Sequence, residues 1–185
     1  MNLEDLRQLP IEDQVTMVVG VSVRHAVEME AALRSVLMTL DPNFDPSVRR
    51  WFSDLVRAFR RQISENPAFS SEARSACLDI ATEALGAYQH RSNNVHDMMS
   101  VYSDVSIERF RFERDHDVDF DREPETLSVE DLVQNCVDLM HATWRLRGVI
   151  LYLQKPNERI RWKMLLNGKF EARWDGSASH IEIMR

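Results

Sequence analysis

Apolar residues recur every three or four positions over four long stretches of this chain, the periodicity of helices that bury one face. The first follows Pro10, a residue suited to an early helical position because it needs no partner for a backbone N–H. Val15, Val18, Ser22, Ala26, Met29, Leu33, Val36 and Leu40 then form one stripe. Asp41-Pro42 stops it, since the residue before proline is pushed out of the α region. The second stretch opens at Asp45-Pro46, carries Val48, Trp51 or Phe52, Leu55, Phe59 and Ile63, and ends at Asn66-Pro67. The third starts at Ser70-Ser71-Glu72 and runs toward Met98, with Cys77, Ile80, Ala84 and Tyr88 on its apolar side. Ala76, Ala81 and Leu85 sit beside them, and the small residues let a neighbouring helix pack closely.

The fourth stretch has the clearest start. Ser128 and Asp131 resemble a capping box with Asp in place of Glu. Leu132, Val133, Cys136, Val137, Met140, Trp144 and Leu151 continue its face, and Pro156 limits it. The segment between the third and fourth helices is longer than an ordinary loop. In it Val105 and Ile107, then Phe110 and Phe112, alternate with polar residues, which predicts a small β excursion with a bulge. Glu113 to Glu125 is dense in charge and reads as a solvated loop. In the tail, Asn167-Gly168 between two segments with a Trp each suggests a hairpin turn, and a short helix over Glu158–Leu166 is equally admissible. The expected architecture is all-α: an antiparallel four-helix bundle with a small β or irregular insertion before the last long helix. Residues 1–156 form the bundle, and residues 157–185 form a tail that docks on the bundle or on a partner.

Composition narrows the class. In 185 residues, 44% are hydrophobic and 29% charged, with five glycines and six prolines. This fits one soluble domain and argues against collagen, disorder and turn-rich all-β folds. No apolar run approaches a membrane span. The first residues lack a signal-like apolar core, so the cytoplasm is the expected compartment. Cys77 and Cys136, the only cysteines, build neither a disulfide framework nor a zinc ribbon, and both sit on apolar stripes as core thiols. A net charge of −7 argues against a dedicated duplex-DNA binder, although the arginines are clustered. Arg49, Arg50, Arg57, Arg60 and Arg61 crowd the second helix. Arg50, Arg57 and Arg61 fall near one face and could track an RNA backbone. The competing reading is a solvated face paired with Asp54 and Glu65.

The residues that stand apart are Arg91-Ser92-Asn93-Asn94-Val95-His96-Asp97, where the apolar pattern of the third helix gives way to polar groups. Arg offers a planar, permanently charged fork suited to phosphate. His titrates near neutrality and moves protons. The Asn pair adds amide donors and acceptors. These types suit RNA cleavage by attack of the 2′-OH on the adjacent phosphate, which needs a base, an acid and charge stabilisation but no metal. Five residues turn an ideal helix about 140° beyond one revolution, so Arg91 and His96 do not share a face. Either the helix breaks at the Asn pair, or the side chains converge with groups from elsewhere. The competing readings are a surface Arg and a helix-end His, with Asp97 orienting the His or standing in water. Glu28 or Glu30 on the first helix could pair with Arg91. His25, His90 and His141 lie on three helices, and a three-His metal site between them is a further alternative, although no pair has ligand spacing.

Arg91, four intervening residues and His96 resemble the R-x4-6-H motif of HEPN domains (higher eukaryote and prokaryote nucleotide-binding). These are small helical bundles with the motif near the end of a long inner helix. The resemblance covers roughly residues 11–155. It implies a metal-independent endoribonuclease with no cofactor, of the kind found in toxin–antitoxin, abortive-infection and phage-defence systems. It further implies a homodimer whose two motifs face each other, an RNA substrate, a protein antitoxin or regulator as a further partner, and no membrane. Arg91 would stabilise the phosphate, His96 would transfer protons, and Asn93 or Asn94 would position the scissile group. Ser92, Arg57 and Arg61 would contact substrate. Ser92 stands where Asn, Asp or His is common, and Met98 where one toxin subgroup has Tyr, so regulation through that Tyr does not carry over. Some HEPN domains are catalytically inactive modules for protein or nucleic-acid binding and dimerisation, and that is the alternative function here.

Overall fold

Pro10 separates a five-residue helix, α1 (Leu3–Arg7), from a thirty-residue one, α2 (Ile11–Leu40), in the computed structural model, which describes residues 3–103, 106–110 and 123–154. Then come α3 (Phe52–Glu65), α4 (Ser71–His96), the strands β1 (Met98–Ser103), β2 (Ser106–Phe110) and β3 (Glu125–Leu127), and α5 (Val129–Gln154). The protein is therefore mainly helical with one small antiparallel sheet, ordered β1-β2-β3. The helix starts follow local chemistry. Ser70 caps α4 by accepting from the Ala73 N–H at 3.2 Å. At α5, the Asp131 carboxylate accepts from the Ser128 N–H at 2.7 Å, and the Asp131 N–H donates to Ser128 Oγ at 3.2 Å. This is the reciprocal capping box expected from the sequence.

The second helix starts later than the sequence predicts. Residues 46–50 lie outside α3, whose N-cap is Trp51. Two side chains hold them in another conformation. Asp45 accepts from the Ser47 N–H and hydroxyl at 2.8 and 2.6 Å. Arg34, itself gripped by Glu30, donates to the carbonyls of Pro46 and Val48 at 2.9 and 3.3 Å. Those carbonyls would otherwise serve the first turn of a helix starting at Pro46. Arg50 consequently precedes the helix and lies over the Phe44 ring, so it does not join Arg57 and Arg61 on one helical face.

The helix directions also depart from simple alternation. Phe52 at the start of α3 stacks on Tyr88 late in α4, and Arg74 early in α4 donates to the Ile63 carbonyl near the end of α3. Phe69 before α4 stacks on Tyr152 at the end of α5. Thus α4 runs antiparallel to both α3 and α5. Cys136 Sγ, however, lies 3.5 Å from the Val18 carbonyl, and Arg7 pairs with Glu130, so α2 and α5 leave the same end in parallel. Gln62 of α3 reaches Asp41, just past the end of α2, so these two also run together. The fully antiparallel arrangement fails because the 41–51 loop is long enough to fold back along α2, where Arg34 fixes it.

Two apolar clusters fill the interior. The larger joins the second half of α2 to α3, α4 and the second half of α5 around Met29, Leu33, Phe59, Ile80 and Leu146. The smaller, at the other end, holds Leu6, Val18, Ile107, Leu132 and Cys136 and seats the sheet on α1, α2 and α5. Burial pushes both thiols, Cys77 and Cys136, up to about 12, so they are protonated core groups and not nucleophiles. Val105, Phe112 and the 157–185 tail lie outside the described residues. Of the charged segment that begins at Glu113, Glu125 opens β3 and does not belong to a loop.

Hydrogen bonds from Ser128 hold the Asp131 carboxyl below its usual range. A lowered carboxyl pKa contributes stability above the unfolded value, and that contribution is lost as pH falls through the folded value. Ser128→Ala keeps the backbone N–H but removes the hydroxyl that caps the Asp131 N–H and donates to its carboxylate, which should cost about 1 kcal/mol at neutral pH. In urea denaturation the difference from wild type should shrink as pH drops below the ordinary Asp value.

Candidate functional site

The polar turns that end α4 are locked to the sheet by a buried arginine. Ile107 and Arg109 are two residues apart on β2 and both face inward, as the period of a strand requires. Arg109 is only 4% exposed. Its guanidinium donates to Asn94 Oδ1 at 2.5 Å and to Glu125, the residue opposite it in the β2–β3 register. Its Nε lies 3.7 Å from Asp97 Oδ2, an ion pair longer than a hydrogen bond. Asn94 in turn approaches Asn135 at 3.5 Å, and Asn135 donates to the Ala87 carbonyl at 3.0 Å. One cationic side chain thus joins β2, β3, the end of α4 and, through the two asparagines, α5.

This accounts for several of the sequence-derived residues. Asn94 is buried and committed to Arg109 and Asn135. Asp97 caps α4 and faces Arg109. The helix continues unbroken through Asn93-Asn94 to His96, so the break that would have brought Arg91 and His96 onto one face is absent. Ser92 and Asn93 are half-buried, Arg91 is half-buried, and His96 is exposed. Arg91 lies over the Tyr88 ring, 5.8 Å from its centroid. Its Nε is buried without a hydrogen-bond partner, and no carboxylate pairs with it among the described residues. Glu28 and Glu30 are engaged elsewhere, facing His25 at 3.6 Å and Arg34 at 2.8 Å. Arg57 is exposed and pairs with Asp54 at 3.1 Å, and Arg61 is exposed.

The three histidines on separate helices do not form a centre. Burial lowers the pKa of His25 and of His141, partly offset by Glu28 at the first and by Asp138 and Glu83 at the second. His90 is exposed. Among the described residues no three His, Cys, Asp or Glu side chains gather as metal ligands. None of the helices among them is long and apolar enough to cross a membrane.

Sequence reasoning missed Arg109, because the bulge was expected to place Phe110 in the apolar register. A strict period of two counted from Ile107 puts Arg109 inward, and acidic residues flank the excursion at Asp97 and Glu125. That combination was the available signal. Comparison of the chain with family models, with curated proteins and with solved structures finds no match.

Removing one member of a buried charge set leaves the others desolvated without compensation. Arg109→Met should cost about 3 kcal/mol in urea denaturation, with the α4 terminus and the sheet losing amide-exchange protection first. Adding Asp97→Asn should recover part of the loss, because an orphaned carboxylate is then removed.

Proposed function

We propose that this protein is a HEPN-like, metal-independent endoribonuclease that works as a homodimer in the cytoplasm, of the kind that serves toxin–antitoxin or phage-defence systems. In this reading α2–α5 correspond in order to the helices of a HEPN-like four-helix bundle, and α4 is the inner helix bearing the motif. The observation that carries it is the state of two residues on the last turns of α4. Arg91 presents a guanidinium braced by Tyr88 and without a carboxylate partner among the described residues, and His96 is open to solvent. A cation held in place without a protein anion is suited to a phosphate. An exposed imidazole at the same helix end can exchange protons with a substrate.

Within one chain the two side chains point about 140° apart. A symmetric pair of α4 ends brings Arg91 of one copy toward His96 of the other, and twofold pairing is the commonest assembly. In the composite cleft, His96 takes the proton of the 2′-OH as its oxygen attacks phosphorus. The 5′-oxygen leaves and takes a proton from solvent, giving a 2′,3′-cyclic phosphate and a free 5′-hydroxyl. Arg91 balances the charge building on the phosphoryl oxygens. Asn93 is the amide available to position the scissile group, because Asn94 is held by Arg109.

A second reading, a catalytically inactive HEPN-like module for protein or nucleic-acid binding, draws support from the divergence of Arg91 and His96 on an unbroken helix. Cleavage separates the two. Wild type should cut RNA in the presence of a chelator. His96→Ala should lose on the order of 10²–10⁴-fold in rate with an unchanged circular dichroism spectrum. Arg91→Lys should also be impaired, since an ammonium lacks the planar fork. A 2′-deoxy residue at the cut should block the reaction. Cleavage undiminished in His96→Ala would remove His96 from the chemistry, and a chain that cuts no RNA in a broad panel favours the inactive module.

The assembly is tested separately. Light scattering at micromolar concentration and above should give a dimer, and a monomer throughout would remove the composite cleft.

A further inference from the structure

Trp51 is the most exposed large apolar side chain among the described residues, at 77%. It occupies the N-cap of α3 and makes no side-chain capping bond there. Ser, Thr, Asp and Asn are favoured at that position because their oxygens satisfy a free N–H. A tryptophan there serves neither the cap nor the core, and the next residue, Phe52, supplies the core contact. A position that breaks a local rule without a packing gain is where function is expected.

Its surroundings define the chemistry. Arg49 and Arg50 immediately precede it and are exposed. Arg49 has no carboxylate partner among the described residues. Arg50 lies over the Phe44 ring at 5.0 Å, with its charge felt by Asp45, which is already bonded to Ser47. The segment is held in place from below, because Arg34 takes the Pro46 and Val48 carbonyls. Phe52 stacks on Tyr88 at 4.2 Å, and Tyr88 carries Arg91 on its ring. Phe52, the residue next to Trp51 in the chain, is thus linked through Tyr88 to Arg91.

We infer that Trp51, Arg49 and Arg50 form a subsite for single-stranded RNA, in which an unpaired base stacks on the indole while the two arginines hold the flanking phosphates. This rests on the reading of Arg91 as a phosphate-binding group and extends it to a second anchor on the same strand. An exposed aromatic beside uncommitted cations is the combination that binds single strands, whose bases offer π-faces, whereas duplex bases are already stacked. An exposed indole beside two exposed guanidiniums offers one stacking face and two phosphate contacts, which match the repeating base and phosphate of a single strand. The surface selects substrates with an unpaired segment.

The test uses the full chain carrying His96→Ala, so that cleavage does not intervene. Fluorescein-labelled single-stranded RNA and the same strand annealed to its complement are titrated and followed by anisotropy. The single strand should bind more tightly than the duplex. Trp51→Ala should weaken it on the order of tenfold or more, and Trp51→Phe should retain most of the affinity. Arg49→Ala with Arg50→Ala should lower both affinity and its dependence on salt. Absence of RNA binding, a preference for duplex, or unchanged affinity in Trp51→Ala would overturn the subsite. So would loss of binding that merely tracks conversion of a dimer to a monomer in light scattering, which would place Trp51 between copies. The cleavage assay fails independently. Cutting without Trp51-dependent binding keeps the nuclease and removes the subsite, and Trp51-dependent binding without cutting does the reverse.

Discussion

The guanidinium of Arg109 is a full charge taken out of water, and the lower end of the molecule is arranged around its neutralisation. Two carboxylates and an amide from three different segments meet it: Asp97 after α4, Glu125 on β3 and Asn94 inside α4. Burial of an isolated charge is prohibitive, so the strand bearing Arg109 can dock only where those partners already converge. This ties the register of the sheet to the rotational setting of α4. A slip of one residue on β2 would turn both Ile107 and Arg109 away from the interior. The apolar cluster beneath the sheet supplies the burial energy, and the charge set supplies the uniqueness of the arrangement.

A second arginine does comparable work between α2 and α3. Arg34 captures two carbonyls of the 41–51 loop and so prevents that segment from extending α3 toward its N-terminus. The loop folds back along α2, α3 re-enters in the direction of α2, and α4 alone runs the other way. Phe52 is thereby brought onto Tyr88, and Tyr88 underlies Arg91. The start of α3 is joined to the last turns of α4 because of how a loop was folded, not because of their separation in sequence.

These two constraints divide the polar residues of α4 into those that hold the structure and those left available. Asn94 and Asp97 are spent on Arg109. Arg91 and His96 are not, and their helix is unbroken through the last turn. An unbroken helix end keeps the two side chains on different faces, so the proposed chemistry calls on a second copy, whereas the proposed strand-binding subsite around Trp51 is drawn within one chain.

The four long helices were legible because each writes its own periodicity, and the capping box at Ser128–Asp131 and the cap at Ser70 are local chemistry within three residues. The alternation around Ile107 signalled a small β excursion, but its register, and the strands β1 and β3 on either side, came only with the fold. Helix direction was not legible, since it depends on whether the 41–51 loop is stitched to α2 by Arg34, a contact between distant residues. The inward Arg109 was not recognised either, because a charge in a strand reads as solvent-facing until its counter-charges are brought to it by the fold. The sequence by itself singled out Arg91 and His96 as candidates. Only the tertiary structure decided that Asn94 is a strut and that Trp51 stays exposed while its neighbour Phe52 is buried on Tyr88, because burial and ion pairing are properties of residues brought together from different elements.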